Sequence, residues 1–467
     1  MSAPPFILAF LLQALPAPAG DPLPARAAFP PPGKPAFREG WILLQVRGGP
    51  RRRGVQQGRA LGPYMARQME GMKAQIRQET GKDWEFFKKA ALRIQAPRVP
   101  AGIRKEMEGI VQGARQRGVE VDYGDVLLWN GWIELVDDWF PQWRRRKGEG
   151  GGTAPRHGGC SAFLAVGSWT RDGRIVAGHN TWSLMTLPNH CNVLLLVVPE
   201  KGASFLMQAF PGAVHSNTDF YINSAGLIIT ETTIAGYRGG FRKNLLPEFV
   251  RIRLAVQFAR SIDEFVRFMT EANNGGYANI WLVGDIRTGE IARLELGLRR
   301  QPLTRTKDGF LGSSNLALDP ELLREETRYR PSPKKSSVAR MARWREIAHR
   351  WKGRITAEEA KRFLADHYDT FEKRYHPSLR SLCGHGEVAP WKAPFGALDA
   401  LVTDSDLASD LRAWARWGRP CGMDFRARDV EPGKPRFAWT KKWLLDLPGR
   451  NWILADGAAW RRKEGGK

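Results

Sequence analysis

The stretch Gly158-Gly159-Cys160-Ser161-Ala162 holds more potential chemistry than any other in this sequence. A single cysteine is usually a small buried hydrophobe, but this one follows a cationic, Gly-rich tether and opens the first strand-like run of the chain. If the bond Gly159–Cys160 is cut, Cys160 becomes a chain start that carries both a thiol and a free α-amine. An α-amine with a pKa of about 8 is a competent general base for its own neighbouring nucleophile. The two glycines ahead of it have no Cβ, so their backbone can take the strained geometry of an N-to-S acyl shift. His157 is close in sequence but leaves with the upstream segment on this reading. Residues 177–183 (AGHNTWS) end the second strand of a hairpin whose first strand begins at Cys160. Hairpin pairing brings those ends together, so His179 and Trp182 can reach the thiol. Cys191, Cys383 and Cys421 carry no motif, and an exported protein can pair Cys383 with Cys421.

The elements that must position these residues come from the hydrophobic period. From Pro35 to Trp143 the pattern is mostly helical. Met65, Met69, Met72 and Ile76 make one apolar stripe and Ile103, Met107, Ile110 and Ala114 another, with Gly118 as a stop. Glu134, Asp137 and Asp138, near Trp132 and Trp139, read as the solvated face of a Trp-rich helix. Residues 144–155 (RRRKGEGGGTAP) then form an exposed tether of the kind that proteases cut. Beyond it the period switches to strands at 161–167, 174–178, 193–198, 203–209, 220–222 and 226–230, and again at 280–285 and 291–296. Ser261 with Glu264 caps a helix in between. Thr356 with Glu359 opens a later one, and Leu407, Leu411 and Trp414 stripe another that stops at Gly418. Antiparallel strands interrupted by a helical block predict an α+β fold, with helices packed on stacked sheets.

The ordered motifs resemble the phospholipase B-like family. They are Cys160-Ser161-Ala162, His179-Asn180-Thr181-Trp182, Asp219-Phe220-Tyr221, Ser224-Ala225-Gly226-Leu227 and Glu231-Thr232-Thr233. Residues 274–281 (NGGYANIW), Ser314-Asn315, residues 396–399 (GALD), Val402-Thr403 and residues 435–439 (PRFAW) continue the order. More distantly, Gly159-Cys160 and Ser337-Val338-Ala339-Arg340 are similar to the acyltransferases that process penicillins. Both groups are N-terminal nucleophile hydrolases, which implies an αββα four-layer sandwich behind a helical propeptide region. The resemblance implies Cys160 as nucleophile, freed by autocatalytic cleavage after Gly159, with His179 beside it to lower the thiol pKa. It implies Asn315 as an oxyanion donor, an interaction worth ~3 kcal/mol when pre-aimed in a dry site. Arg340 would set the local electrostatics, with Arg343 as its rival. Trp182 and Thr233 would line the substrate pocket, and Asn279 would stand beside it or support it. Ser183 after Trp182, and Ala235-Gly236-Tyr237-Arg238-Gly239-Gly240 after the Thr-Thr pair, depart from the animal members.

The expected organisation is a leader at residues 1–27, a helical propeptide at 28–143, a cleavable linker at 144–159 and a catalytic domain at 160–467. The leader rests on the apolar block at residues 6–15 and the small-residue pattern after it, which points to a secreted or periplasmic protein. A hydrophobic fraction of 42% and a charged fraction of 26% exclude wholesale disorder. Four cysteines are too few for a disulfide framework or a multi-cysteine zinc scaffold, and no metal or cofactor motif of recognised spacing appears. The net charge of +24 favours polyanions such as anionic lipid surfaces, with no specific nucleic acid expected. The expected function is hydrolysis of phospholipid acyl esters. An N-acyl amidase or acyltransferase is the near alternative, and a catalytically inactive, basic envelope- or nucleic-acid-binding protein is the alternative of another class.

Overall fold

In a computed structural model that describes residues 26–149, 159–430 and 435–461, two large sheets stack face to face. The nine-stranded sheet runs in the order Leu303–Thr306, Glu290–Leu296, Asn279–Asp285, Leu227–Thr233, Phe220–Asn223, Phe205–Ala209, Val193–Pro199, Trp41–Gly48, Pro35–Arg38. The eight-stranded sheet runs Arg26–Ala28, Ile453–Asp456, Arg412–Trp417, Asp399–Asp404, Gly173–Leu184, Gly159–Gly167, Gly309–Ser313, with Phe395–Ala397 also paired to Gly173–Leu184.

Strand alternation sets the layers. Leu43, Leu194, Leu196, Phe220, Ile222 and Leu282 of the first sheet meet Ala162, Leu164, Ile175, Ala177 and Leu401 of the second in the core between them. The opposite faces go under helices. Ile42, Leu44, Leu195, Val197, Met207 and Val283 pack beneath Pro50–Thr80, Trp84–Ile94, Ala101–Arg115, Tyr123–Ile133, Glu248–Phe258 and Ile262–Thr270. Phe163, Ala165, Val176, Ala400 and Val402 pack beneath Ser336–Trp351 and Ala357–Leu364. The chain is thus an αββα four-layer sandwich of the class expected.

The helical stripes at Met65–Ile76 and Ile103–Ala114 are buried as expected, and Ser261 caps its helix by accepting from the Glu264 N–H at 3.2 Å. Four expectations change. Residues 35–48 are strand, and Trp41–Gly48 pairs in parallel with Val193–Pro199. Apolar on both faces, that strand lacks the alternation that marks a half-buried one. The region expected to be a helical propeptide therefore contributes strands to the central sheet. At the end of the expected leader, Arg26–Ala28 pairs in parallel with Ile453–Asp456, and Ala27 is buried between the sheets; residues 1–25 lie outside the described residues. Leu407 lies in a short helix, Ser405–Ser409, but Leu411 and Trp414 lie beyond it and Arg412–Trp417 is a strand. Its inward residues Ala413, Ala415 and Trp417 follow a period of two. Lastly, Glu134 and Asp138 are buried, not solvated, because a π-helical segment, Glu134–Trp139, continues the helix there. The Glu134 carboxylate accepts from the Glu248 N–H at 2.7 Å and from Asn274 Nδ2 at 2.8 Å, and Asp138 accepts from the Tyr277 N–H at 2.8 Å.

Candidate active site

The cysteine strand Gly159–Gly167 and its hairpin partner Gly173–Leu184 set the site. Their register puts Gly159 opposite Trp182, Cys160 opposite Thr181 and Ala162 opposite His179. Opposed residues share a face, so Cys160, Ala162, Thr181 and His179 look to one side, and Ser161, Asn180 and Trp182 to the other. The hairpin delivers the expected neighbourhood, with Thr181 rather than His179 directly across from the cysteine.

Two side chains converge on Cys160 from elsewhere in the fold. Its backbone N–H donates to Asn315 Oδ1 at 3.0 Å, and Asn315 Nδ2 donates to the Thr233 carbonyl at 2.8 Å. Asn315, just past the strand Gly309–Ser313, holds its position with φ 66°. Arg340, reaching in from the helix Ser336–Trp351, donates from Nη1 to the Cys160 carbonyl at 2.5 Å and to Ser161 Oγ at 3.0 Å. Its Nη2 donates to Asn315 Oδ1 at 3.0 Å, its Nε to Ser336 Oγ at 3.0 Å, and its plane lies 4.2 Å over the Trp182 ring. Two N–H donors on one side of the Asn315 amide and a carbonyl on the other admit only this orientation of the side chain. Asn315 therefore fixes the nitrogen of Cys160. One of its two Nδ2 hydrogens is committed to the Thr233 carbonyl. Arg343, the rival, is engaged elsewhere, donating to Asp366 at 2.9 and 2.7 Å.

The electrostatics are those of a dry site. Burial, and then the nearby Glu231, Asp399 and Asp219, push the Cys160 thiol well up, opposed by the Trp182 backbone N–H. Burial pushes His179 down to about 3, so its imidazole, set against the Glu231 backbone, is neutral and is no cationic partner for the thiol. Asp219 and Asp399 are each raised to about 7 by burial, and Glu231 is raised well above the usual carboxylate range by burial and by Asp219. Asp399 accepts from the Thr181 N–H at 2.9 Å and from Gln208 Nε2 at 2.7 Å. The Tyr277 hydroxyl donates to Glu231 at 3.1 Å and the Tyr221 hydroxyl to Asp219 at 3.2 Å. The motif words around Asp219, Glu231, Tyr277 and Asp399 are plain in the sequence, but nothing there shows that these carboxyl groups gather around the sulfur.

A cavity opens on Cys160, walled by Met72, Trp129, Trp132 and Ile133 of the helical layer and by Thr181, Trp182, Phe210, Thr233 and Tyr277. A second lies across Trp182 and is lined by Gly159, Thr233, Asn315, Ser337 and Arg340. Trp182 and Thr233 thus line both. Asn279 does not: it sits one strand beyond, opposite Thr233, fully buried. His157 lies outside the described residues.

The family model described as phospholipase B matches residues 56–295. The chain is similar to a phospholipase B of Crotalus adamanteus, 24% identical over 314 residues that make up 60% of this chain and 54% of that protein. It is also similar to an uncharacterized protein of Archaeoglobus fulgidus, 27% identical over 194 residues, 40% of this chain and 30% of that one. A variant of conjugated bile acid hydrolase from Clostridium perfringens aligns with a TM-score of 0.33 and 11% identity, covering 55% of this chain and 89% of that chain. The chain spans about half the length of the snake and human curated relatives it matches.

Proposed function

This chain belongs to the phospholipase B family, and we propose that it is a self-processing cysteine hydrolase that cleaves acyl esters of phospholipids at Cys160. The observation that carries the reading is the buried chain of contacts from Arg340 to Asn315 to the Cys160 nitrogen, at the wall of a largely apolar cavity.

In processing, the thiol adds to the Gly159 carbonyl carbon and its proton passes to the Cys160 nitrogen as the Gly159–Cys160 C–N bond breaks, freeing the α-amine; water then hydrolyses the resulting thioester, releasing the Gly159 carboxyl group and restoring the thiol. In turnover that amine takes the thiol proton while sulfur attacks the acyl carbonyl. The C–O bond breaks, and the ammonium protonates the leaving alcohol. Water, deprotonated by the amine, then releases the fatty acid and restores the thiol. Asn315, already hydrogen-bonded to this nitrogen, holds it beside the sulfur. Arg340 supplies positive charge where the thiolate and oxyanion develop. Met72, Trp129, Trp132 and Ile133 give an acyl chain an apolar wall. The charge of +24 suits an anionic lipid surface, and no described helix is long and apolar enough to cross a membrane.

Denaturing electrophoresis and intact mass test the proposal. Wild type should separate into two fragments divided between Gly159 and Cys160, and Cys160→Ala should stay one chain. The processed protein should release fatty acid from phospholipid vesicles faster than from N-acyl amides. An intact wild type with no labelled N-terminal thiol overturns the processing step, and faster amide cleavage overturns the ester assignment.

A further inference from the structure

Away from Cys160, four side chains distant in sequence converge: His367, Cys383, His385 and Cys421, whose ligand atoms all lie within 4.8 Å of one another. We propose that these residues bind one zinc ion, which clamps the 366–385 segment to the chain beyond Trp417 and so braces the Trp182 wall of the active site.

His385 Nε2 lies 3.1 Å from His367 Nε2, 3.4 Å from Cys383 Sγ and 3.6 Å from Cys421 Sγ. One ring nitrogen cannot satisfy three such neighbours by hydrogen bonding, since it offers a single proton or a single lone pair. A central cation can. Bond lengths of about 2.0–2.1 Å to nitrogen and 2.3 Å to sulfur make the edges of a tetrahedral site about 3.3 Å between nitrogens and about 3.5 Å from nitrogen to sulfur. The separations observed match those edges, and two thiolates with two imidazoles are a donor set suited to zinc. The surroundings are those of a held ligand set. His385 Nδ1 lies 2.9 Å from Glu387 Oε1, and Glu387 is itself held by Arg419, the carboxylate–histidine support common around zinc. The Cys383 N–H donates to the Asp366 carbonyl at 3.0 Å and the His385 N–H to the Ser378 carbonyl at 3.0 Å, so both ligands stand on a fixed backbone. Cys383 and His385 are buried, whereas His367 and Cys421 reach partway to solvent and leave a path for the ion. The nearby Asp369, Glu372 and His376 also cluster, but Arg380 already pairs with both carboxylates.

The link to the active site is Gly384, between two of the ligands. A Cβ there would stand 2.4 Å from the Trp182 ring, so the segment packs directly against the indole on which Arg340 also stacks. Its carbonyl accepts from Arg419 Nη1 at 2.6 Å.

The test uses the full chain, purified without chelator, and does not depend on the Cys160 proposal, because uncut Cys160→Ala protein should hold the same metal. Elemental analysis should find about one zinc per chain, falling to under about a tenth in Cys421→Ser and His367→Ala. Removal by a chelator should lower the melting temperature, added Zn²⁺ should restore it, and Co²⁺ in its place should give the visible absorption of a tetrahedral thiolate site. Should the variants fail to fold, the chelation and cobalt experiments on wild type decide. Folded wild type that holds no zinc and takes up neither ion overturns the inference. So does a Cys383–Cys421 disulfide in a non-reducing digest.

Discussion

Replacing Arg340 by methionine separates catalytic from structural roles. Arg340 is buried, all four of its hydrogen-bond partners are uncharged, and the titrating groups that act on it are the Cys160 thiol and the Tyr329 phenol, not a carboxylate. Burial pulls its pKa from 12.5 to about 10. At 1.36 kcal/mol per unit this is a cost of about 3 kcal/mol for holding the charge in the fold at neutral pH. Methionine removes that cost and keeps most of the volume; Asn315 Oδ1 keeps the Cys160 N–H and the two serine hydroxyls can turn, so the main loss is the donor to the Cys160 carbonyl, worth about 1–3 kcal/mol. The two nearly cancel, so unfolding free energy should move by no more than about 2 kcal/mol. Processing and turnover should fall far more, because the anion formed at Cys160 loses its cation; about 3 kcal/mol of transition-state stabilisation is roughly a hundredfold. Arg340→Lys should fall in between, since one ammonium cannot span Cys160, Ser161, Asn315 and Ser336 together. The assay is the half-time of the cleavage band, beside urea unfolding monitored in the uncut chains. Cleavage within about threefold of wild type in folded Arg340→Met would refute the reasoning. A stability loss large enough to explain the slower cleavage would refute it equally.

Four further outcomes follow from the packing and the buried charges. Asp399 has a folded pKa of about 7 against about 3.9 unfolded. The native state therefore holds the extra proton between those values, so stability should fall as pH rises from about 4 to about 7 and level off above. In Asp399→Asn, whatever its offset, chemical unfolding across that window should give a flatter curve. Gly384→Ala puts a methyl 2.4 Å from the Trp182 ring and should cost about 1–3 kcal/mol and slow cleavage, read by melting and by the same band assay. Gly58→Ala puts one 2.1 Å from the Ile110 carbonyl oxygen, where the helices Pro50–Thr80 and Ala101–Arg115 touch backbone to backbone. It should cost roughly 3 kcal/mol or more. Gly102→Ala, with nothing within 4 Å, should instead gain about 0.5–1 kcal/mol in the same melts.

What the sequence exposes depends on whether the signal is local. The turn at Thr170–Gly173 forces the hairpin, so the approach of the His179–Trp182 end to Cys160 could be read from spacing, whereas the bulge between Ala165 and Gly167 that sets Trp182 opposite Gly159 could not. Period-two and 3.6-residue patterns gave most of the later strands and the Met65–Ile76 and Ile103–Ala114 stripes. The failures share a cause. Trp41–Gly48 is apolar on both faces, and Leu407 to Trp414 spans the junction of a short helix and a strand. Gly54, Gly58, Gly109 and Gly113 look incidental until two helices are laid together and each would-be Cβ meets the other helix's backbone. Nonlocal chemistry was the least legible. His367, Cys383, His385 and Cys421 have no recognised ligand spacing, because two loops and a strand end assemble them. Glu231 and Asp399 stand on strands of different sheets, and Asp219 comes just before the strand Phe220–Asn223.

Those carboxyls bear on the order of events at Cys160. In the uncut chain the sulfur is buried among Glu231, Asp399 and Asp219, all of which disfavour a thiolate, and His179 carries no charge to offset them. The Cys160 nitrogen, as an amide, can donate to Asn315 but can take no proton. On the proposed reading, cleavage adds the one group this pocket lacks: a basic nitrogen, already held by Asn315 on the residue that bears the thiol. The same event replaces a neutral amide with an ammonium, which opposes the acidic surroundings and lowers the cost of ionising the sulfur. A helical layer that contributes strands to the central sheet as well as the cavity wall suits this sequence, because it keeps the pocket dry and its donors aimed through the cut. Cleavage then acts by changing the charge at one nitrogen, with the fold around it kept in place.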